Sequence, residues 1–254
     1  MRLEQALLVD GAIAAATGRV FSDGATMMFE PPLPVTLALY APGNEPPPWP
    51  VHMGVSVVGV DLDALDRRRE KSGAIEGWAH LSGVWQNATL VVHTQEPPVF
   101  PVGDTSSQWS VPPGPPPPGG WLHGTANENL DAGDLHELDD SITALALFRP
   151  SPTQVVLVVA STEPSRVRAQ LQSRFGPRLC VIDSLWTKEQ VRDAATHLRT
   201  NMDRWQIYQT GETVTEDGQT LVQAHTVRVI PEMIDWARPL PDGLVNIIPW
   251  LAPG

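Results

Sequence analysis

The chain has 254 residues, of which 42% are apolar, with a net charge of −12, 26 prolines, 9 tryptophans and 1 cysteine. That length allows one or two domains, and that apolar fraction supports a folded core rather than disorder. The acidic balance argues against nucleic acid as a general partner, since phosphate binding runs on Lys and Arg, and a lone cysteine excludes an internal disulfide framework.

Asp10 interrupts the first apolar stretch before a signal-peptide core is complete, and no run approaches the ~18 apolar residues of a membrane span, so a cytoplasmic protein is expected. Residues 10–95 then read as short strands at 18–21, 26–29, 35–40, 51–60, 77–85 and 88–93, with a turn at Ser22-Asp23-Gly24 after the first. Five or six such strands predict a small all-β, OB-like barrel. Gly54, Gly59, Gly77 and Gly83 lie in or beside strands, where glycine marks bulges and barrel corners. Gln86-Asn87 is the expected hairpin turn. Trp78, Trp85 and Tyr40 could stack on bases, but the one dense basic cluster, Arg67, Arg68, Arg69 and Lys71, shares its loop with Asp61, Asp63, Asp66 and Glu70. A solvated turn explains that loop better than a single-stranded nucleic-acid site. His80 and His93 fall on neighbouring predicted strands and could face one another.

The run Val111-Pro112-Pro113-Gly114-Pro115-Pro116-Pro117-Pro118-Gly119-Gly120 separates two kinds of sequence. Proline cannot continue a helix or a central strand, and consecutive prolines favour the extended polyproline II spacer. The expected organisation is therefore a small β-barrel domain at 1–98, a Pro/Gly-rich linker at 99–120 and an α+β domain at 121–254 with an acidic lead-in. Charge follows the same division: residues 1–120 carry 6 basic and 12 acidic side chains, residues 121–150 carry 1 and 6, and residues 151–254 carry 10 and 11.

In the second part, 142–148 and 154–160 flank Pro150-Ser151-Pro152-Thr153 as a hairpin. Val167, Leu171 and Phe175 make a helix stripe that Pro164 opens and Gly176-Pro177 ends. Residues 179–182 read as a buried strand, and Thr187 with Gln190 forms a capping box before a helix striped by Val191, Ala194, Ala195, Leu198 and Met202. Strands at 205–208 and 221–229, a short helix at 231–236 and a last strand at 243–248 complete the order ββαβαββαβ. Helices over one small sheet imply a ferredoxin-like α+β sandwich. No Gly-x-Gly-x-x-Gly or Gly-Lys-Ser/Thr phosphate loop occurs.

Pro46-Pro47-Pro48-Trp49-Pro50, Val57-Val58-Gly59-Val60-Asp61-Leu62-Asp63, Gly77-Trp78 and Leu81-Ser82-Gly83-Val84-Trp85 together resemble a pattern in uncharacterised actinobacterial two-part proteins. In those, an OB-like strand domain precedes an α/β unit akin to protease prodomain modules. Arg174-Phe175-Gly176-Pro177-Arg178-Leu179-Cys180-Val181 is similar to the second unit. The resemblance implies that two-part fold and brings no known activity. Its members often carry a lipoprotein signal and paired cysteines near the proline turn, and this sequence shows neither.

The strongest polar cluster is His123, Asn127, Glu128, Asp131, Asp134, His136, Glu137, Asp139 and Asp140. Imidazole with carboxylate suits a divalent ion, with His123, Asp131, Asp134 and His136 as candidate ligands, yet the spacing matches no metal signature and a solvated segment is the plainer reading. Cys180 lies in an apolar strand, where a thiol behaves as a small hydrophobe. Trp49, Trp109 and Trp121 stand in or beside proline-rich segments and serve either as staples onto a domain or as partner-binding contacts. With no catalytic constellation and no cofactor motif, the chain reads as a non-enzymatic protein–protein interaction module, immunity- or inhibitor-like, meeting a basic partner. The alternative is an enzyme or small-ligand protein with its site at the interdomain cleft.

Overall fold

A computed structural model describes residues 3–32, 53–99, 110–122 and 139–254, a mixed α+β structure made mostly of strands. Its first six strands are β1 (Ile13–Ser22), β2 (Met27–Glu30), β3 (Val55–Val58), β4 (Asp66–Lys71), β5 (Ala74–Gln86) and β6 (Thr89–Glu96). Along β1 and β5 burial alternates strictly: Ala14, Ala16, Gly18 and Val20 point inward, as do Gly77, Ala79, Leu81, Gly83 and Trp85. This period of two gives each strand an inner and an outer face. β1 pairs with β2, β2 with β3, β3 with β6, β6 with β5 and β5 with β1, so five strands close into a ring, antiparallel except at β3/β6. Gly83 sits at a bulge where β6 crosses so closely that a side chain would strike the carbonyl of Val91.

Two local expectations change. The β5–β6 turn is Asn87-Ala88, both at positive φ (50° and 58°), one residue later than expected, because Gln86 still pairs with Thr89. The basic loop is partly strand: β4 is exposed along its length and pairs with β5 at the edge of the sheet, turned by Ser72-Gly73 at positive φ. A strand made wholly of charged residues suits such an edge, since it discourages further pairing. The strand expected at 35–40 lies outside the described residues.

The C-terminal part follows the expected element order, but its strands form two three-stranded sheets rather than one. β7 (Ile142–Ser151) and β8 (Gln154–Ser161) make a hairpin, α1 (Pro164–Phe175) crosses over, and β9 (Leu179–Asp183) runs parallel to β8. After α2 (Lys188–Thr200) the pattern repeats: hairpin β10 (Ile207–Val214) and β11 (Thr220–Thr226), crossover α3 (Pro231–Ala237), and β12 (Val245–Pro249) parallel to β11. Each is a ββαβ unit, with β7 and β10 at the sheet edges. Val167, Leu171 and Phe175 of α1 pack on Leu157, Val159 and Val181, while Val191, Leu198 and Met233 from α2 and α3 pack on Ile207, Val222 and Ala224.

The ends of the chain are exchanged between the parts. Leu3 and Ala6, in a short 3-10 turn, pack against Ile234 and Val229 of the C-terminal part. In return β13 (Ala252–Pro253) pairs with β1, Val227 and Leu251 complete the barrel core, and Trp250 meets Phe29 at 4.6 Å while its indole N–H donates to the Thr17 carbonyl at 2.8 Å. The proline run is tied at both its ends to the two sides of the β7–β8 turn. The Ser110 amide donates to the Arg149 carbonyl (2.9 Å), and the Gln154 side-chain amide donates to the Trp121 carbonyl (2.8 Å). Among the described residues no helix is long and apolar enough to cross a membrane.

Candidate functional site

Of the tryptophans singled out as contacts, Trp121 is half-buried against Phe148, Val158 and Cys180, which makes it a staple on the β7–β9 sheet. Trp49 and Trp109 lie outside the described residues, as do the candidate metal ligands His123, Asp131, Asp134 and His136. Among the described residues no group of three or more His, Cys, Asp or Glu is placed to hold a metal ion. Cys180 is buried, and burial pushes its thiol pKa up, away from nucleophilic use. His80 and His93 do not face one another: a bulge shifts the register so that His80 stands opposite Glu96 on β6 and Thr17 on β1, and the Thr17 hydroxyl lies 2.9 Å from its Nδ1.

The outer face of the barrel holds the arrangement that sequence reading missed. The ladder sets Ile13 opposite Val84, Val84 opposite Val91, and Val91 opposite Val58. One apolar row thus crosses β1, β5, β6 and β3 on the side away from the core. Ile13 is 53% exposed and Val58 49%, Val84 and Val91 are half-buried, and Val9, just before β1, is 57% exposed. Two carboxylates bracket the row along the strand direction. Asp10 accepts from the Asn87 amide at the turn end (3.0 Å), and Asp61 is tied through its backbone to Gln95 toward the other end (2.9 Å). Asp63 beside it already faces Arg68 at 3.6 Å. Arg228 lies on the inner side, its guanidinium 5.5 Å from the Trp85 ring centroid. A signal for the row was present as breaks in alternation: Val57-Val58, Val84-Trp85 and Leu90-Val91-Val92 are apolar on both faces.

A second cluster lies further along the same outer face. Arg19 meets Glu30 at 2.7 Å and Glu76 at 3.6 Å. The Glu30 side chain is 3% exposed, and its Oε1 has no hydrogen-bond partner among the described residues. Burial pushes the Glu30 carboxyl up to about 7, against the pull of Arg19. Glycines make room for it, since a Cβ at Gly54 would come within 2.8 Å of the Glu30 Cγ. In the C-terminal part His197 stacks on Trp236 (4.6 Å, 4°) beside Trp205, a cluster that joins α2 to α3. Near it a groove of about 650 Å³ is lined by Leu3, Glu4, Ile234, Ala237, Arg238 and Asp242. Arg238 is already paired with Asp235 at 3.0 Å.

Compared with protein-family models, curated proteins and solved structures, the chain matches none.

Proposed function

We propose that this protein is a non-enzymatic, cytoplasmic partner-binding module, immunity- or inhibitor-like, whose partner is a basic protein rather than nucleic acid. The apolar row on the outer barrel face carries this reading. An apolar row across four strands, exposed at its two ends and framed by carboxylates, fits a surface that is completed by another molecule. The net charge of −12 favours a basic partner through steering and complementarity. The barrel is read as OB-like on its ring order β1-β2-β3-β6-β5 and its parallel β3/β6 closure. A ferredoxin-like reading of the C-terminal part draws less support, because its strands divide into two ββαβ units. The resemblance to actinobacterial two-part proteins adds no activity, so the functional reading rests on the surface.

The test is photo-crosslinking in native extract from a benzophenone side chain placed at position 84, with position 185 as the control. One stoichiometric, basic adduct from position 84 supports the proposal. No adduct from position 84, with the bait folded, overturns it.

A further inference from the structure

We infer that the row formed by Ile13, Val84 and Val91, with Val58 at its margin, is the docking face for an amphipathic helix whose apolar stripe is flanked by Lys or Arg. The inference rests on the partner-binding reading above and adds the shape and charge of what binds.

Shape follows from the ladder. Strands stand about 4.8 Å apart, so Ile13, Val84 and Val91 on three adjoining strands span about 10 Å at right angles to the strand direction. A helix rises about 1.5 Å per residue, so apolar positions i, i+4 and i+7 cover about 10.5 Å. A helix lying across the strands can therefore set one apolar side chain beside each of the three. The outer face of a barrel is convex, so the next strand carries Val58 away from the helix axis and leaves it at the margin of the contact. A lone extended strand fits poorly: over a sheet face it finds no backbone partners and would bury unpaired peptide groups, whereas a helix pairs its own.

Charge follows from the frame. Asp10 and Asp61 are both exposed and stand on opposite sides of the row, one toward the β5–β6 turn and the other toward Gln95. A helix laid along the row runs between them, and basic residues on both margins of its apolar stripe meet a carboxylate on either side. A second copy of this chain would bring Asp10 and Asp61 against their equivalents, and like charges across an interface weaken it.

The experiment uses the full chain and fluorescein-labelled four-turn peptides. One has Leu on one face and Lys elsewhere, one has the same composition scrambled, and one has Glu in place of Lys. Fluorescence anisotropy should show the amphipathic Lys helix binding about tenfold tighter than the scrambled peptide, with no binding of the Glu helix. Val84→Asp should weaken the Lys helix about tenfold, as should the milder Ile13→Ser, whose side chain is half-exposed and whose loss leaves the core intact. Leu185→Asp, at a residue 77% exposed in the C-terminal part, should leave binding unchanged. Asp10→Lys with Asp61→Lys should weaken the Lys helix and admit the Glu helix. Equal binding of the scrambled peptide overturns the inference, as does indifference to Ile13→Ser in a protein with unchanged melting. A dimer that Ile13→Ser dissolves would give the row to a second copy and also overturns it. A crosslinked basic partner that protects some other face would remove the helix site while leaving the partner-binding reading standing.

Discussion

Glu30 is held by opposing forces at the scale of one side chain. Arg19 pulls its carboxyl toward ionisation, burial pushes it toward the neutral form, and burial prevails, leaving it near 7. Arg19 also serves Glu76, so one cation faces two carboxylates. The folded protein therefore keeps a proton that the unfolded chain has already released above the ordinary glutamate range. The stability this contributes is complete at acid pH, falls as pH rises from about 4.5, and is gone above about 7. Glu30→Gln keeps an acceptor for Arg19 and removes the titration. Urea unfolding should show the variant more stable than the parent at pH 8, by about 2 kcal/mol, and flatter between pH 5 and 7. A parent whose stability runs parallel to that of Glu30→Gln across that interval would show that Glu30 is ionised throughout. The glutamate was visible in the sequence, but its burial was not, because it depends on Gly54, just before β3 and 24 positions further along the chain, coming in beside it.

Elements written in local chemistry were legible. Pro164 opens α1 and Gly176, at φ 53°, closes it; Thr187 and Gln190 form the capping box that starts α2, each side chain accepting from the other's backbone amide. Thr187→Ala removes one of those bonds and should lower stability by about 1 kcal/mol, measured by thermal or urea unfolding, while Thr187→Ser should be near neutral. Elements that depend on their neighbours were not legible. β4, Asp66–Lys71, has no apolar alternation and becomes a strand only because the Ser72-Gly73 turn folds it back on β5. The apolar row has the same origin. Doubled apolar residues such as Val57-Val58 mark its members one strand at a time, but only the register of three ladders aligns them with Ile13. The second ββαβ unit was written in full, but whether its strands join the first sheet is settled by pairing, which sequence period does not encode.

The exchange of ends governs the molecule as a whole. The barrel takes Val227, Trp250 and Leu251 from the far end of the chain, and the C-terminal part takes Leu3 and Ala6. Leu251 is fully buried, so Leu251→Ala should cost about 3 kcal/mol and lower the melting temperature of the whole chain. A fragment of residues 1–98 should melt without a sharp transition, and adding the fragment 121–254 should restore one. Calorimetry that gives the same sharp melt for 1–98 alone would show that the barrel core is complete without its C-terminal residues.

The returning segment also sets an order in time. A ribosome that has just made β6 has all five strands of the ring, but the side chains that finish its core are more than a hundred residues from synthesis. At typical elongation speeds that delay is on the order of 10 s. For that interval the nascent barrel stands with Phe29 lacking its Trp250 neighbour and β1 with part of one edge unpaired, a surface open to a chaperone or to another nascent chain.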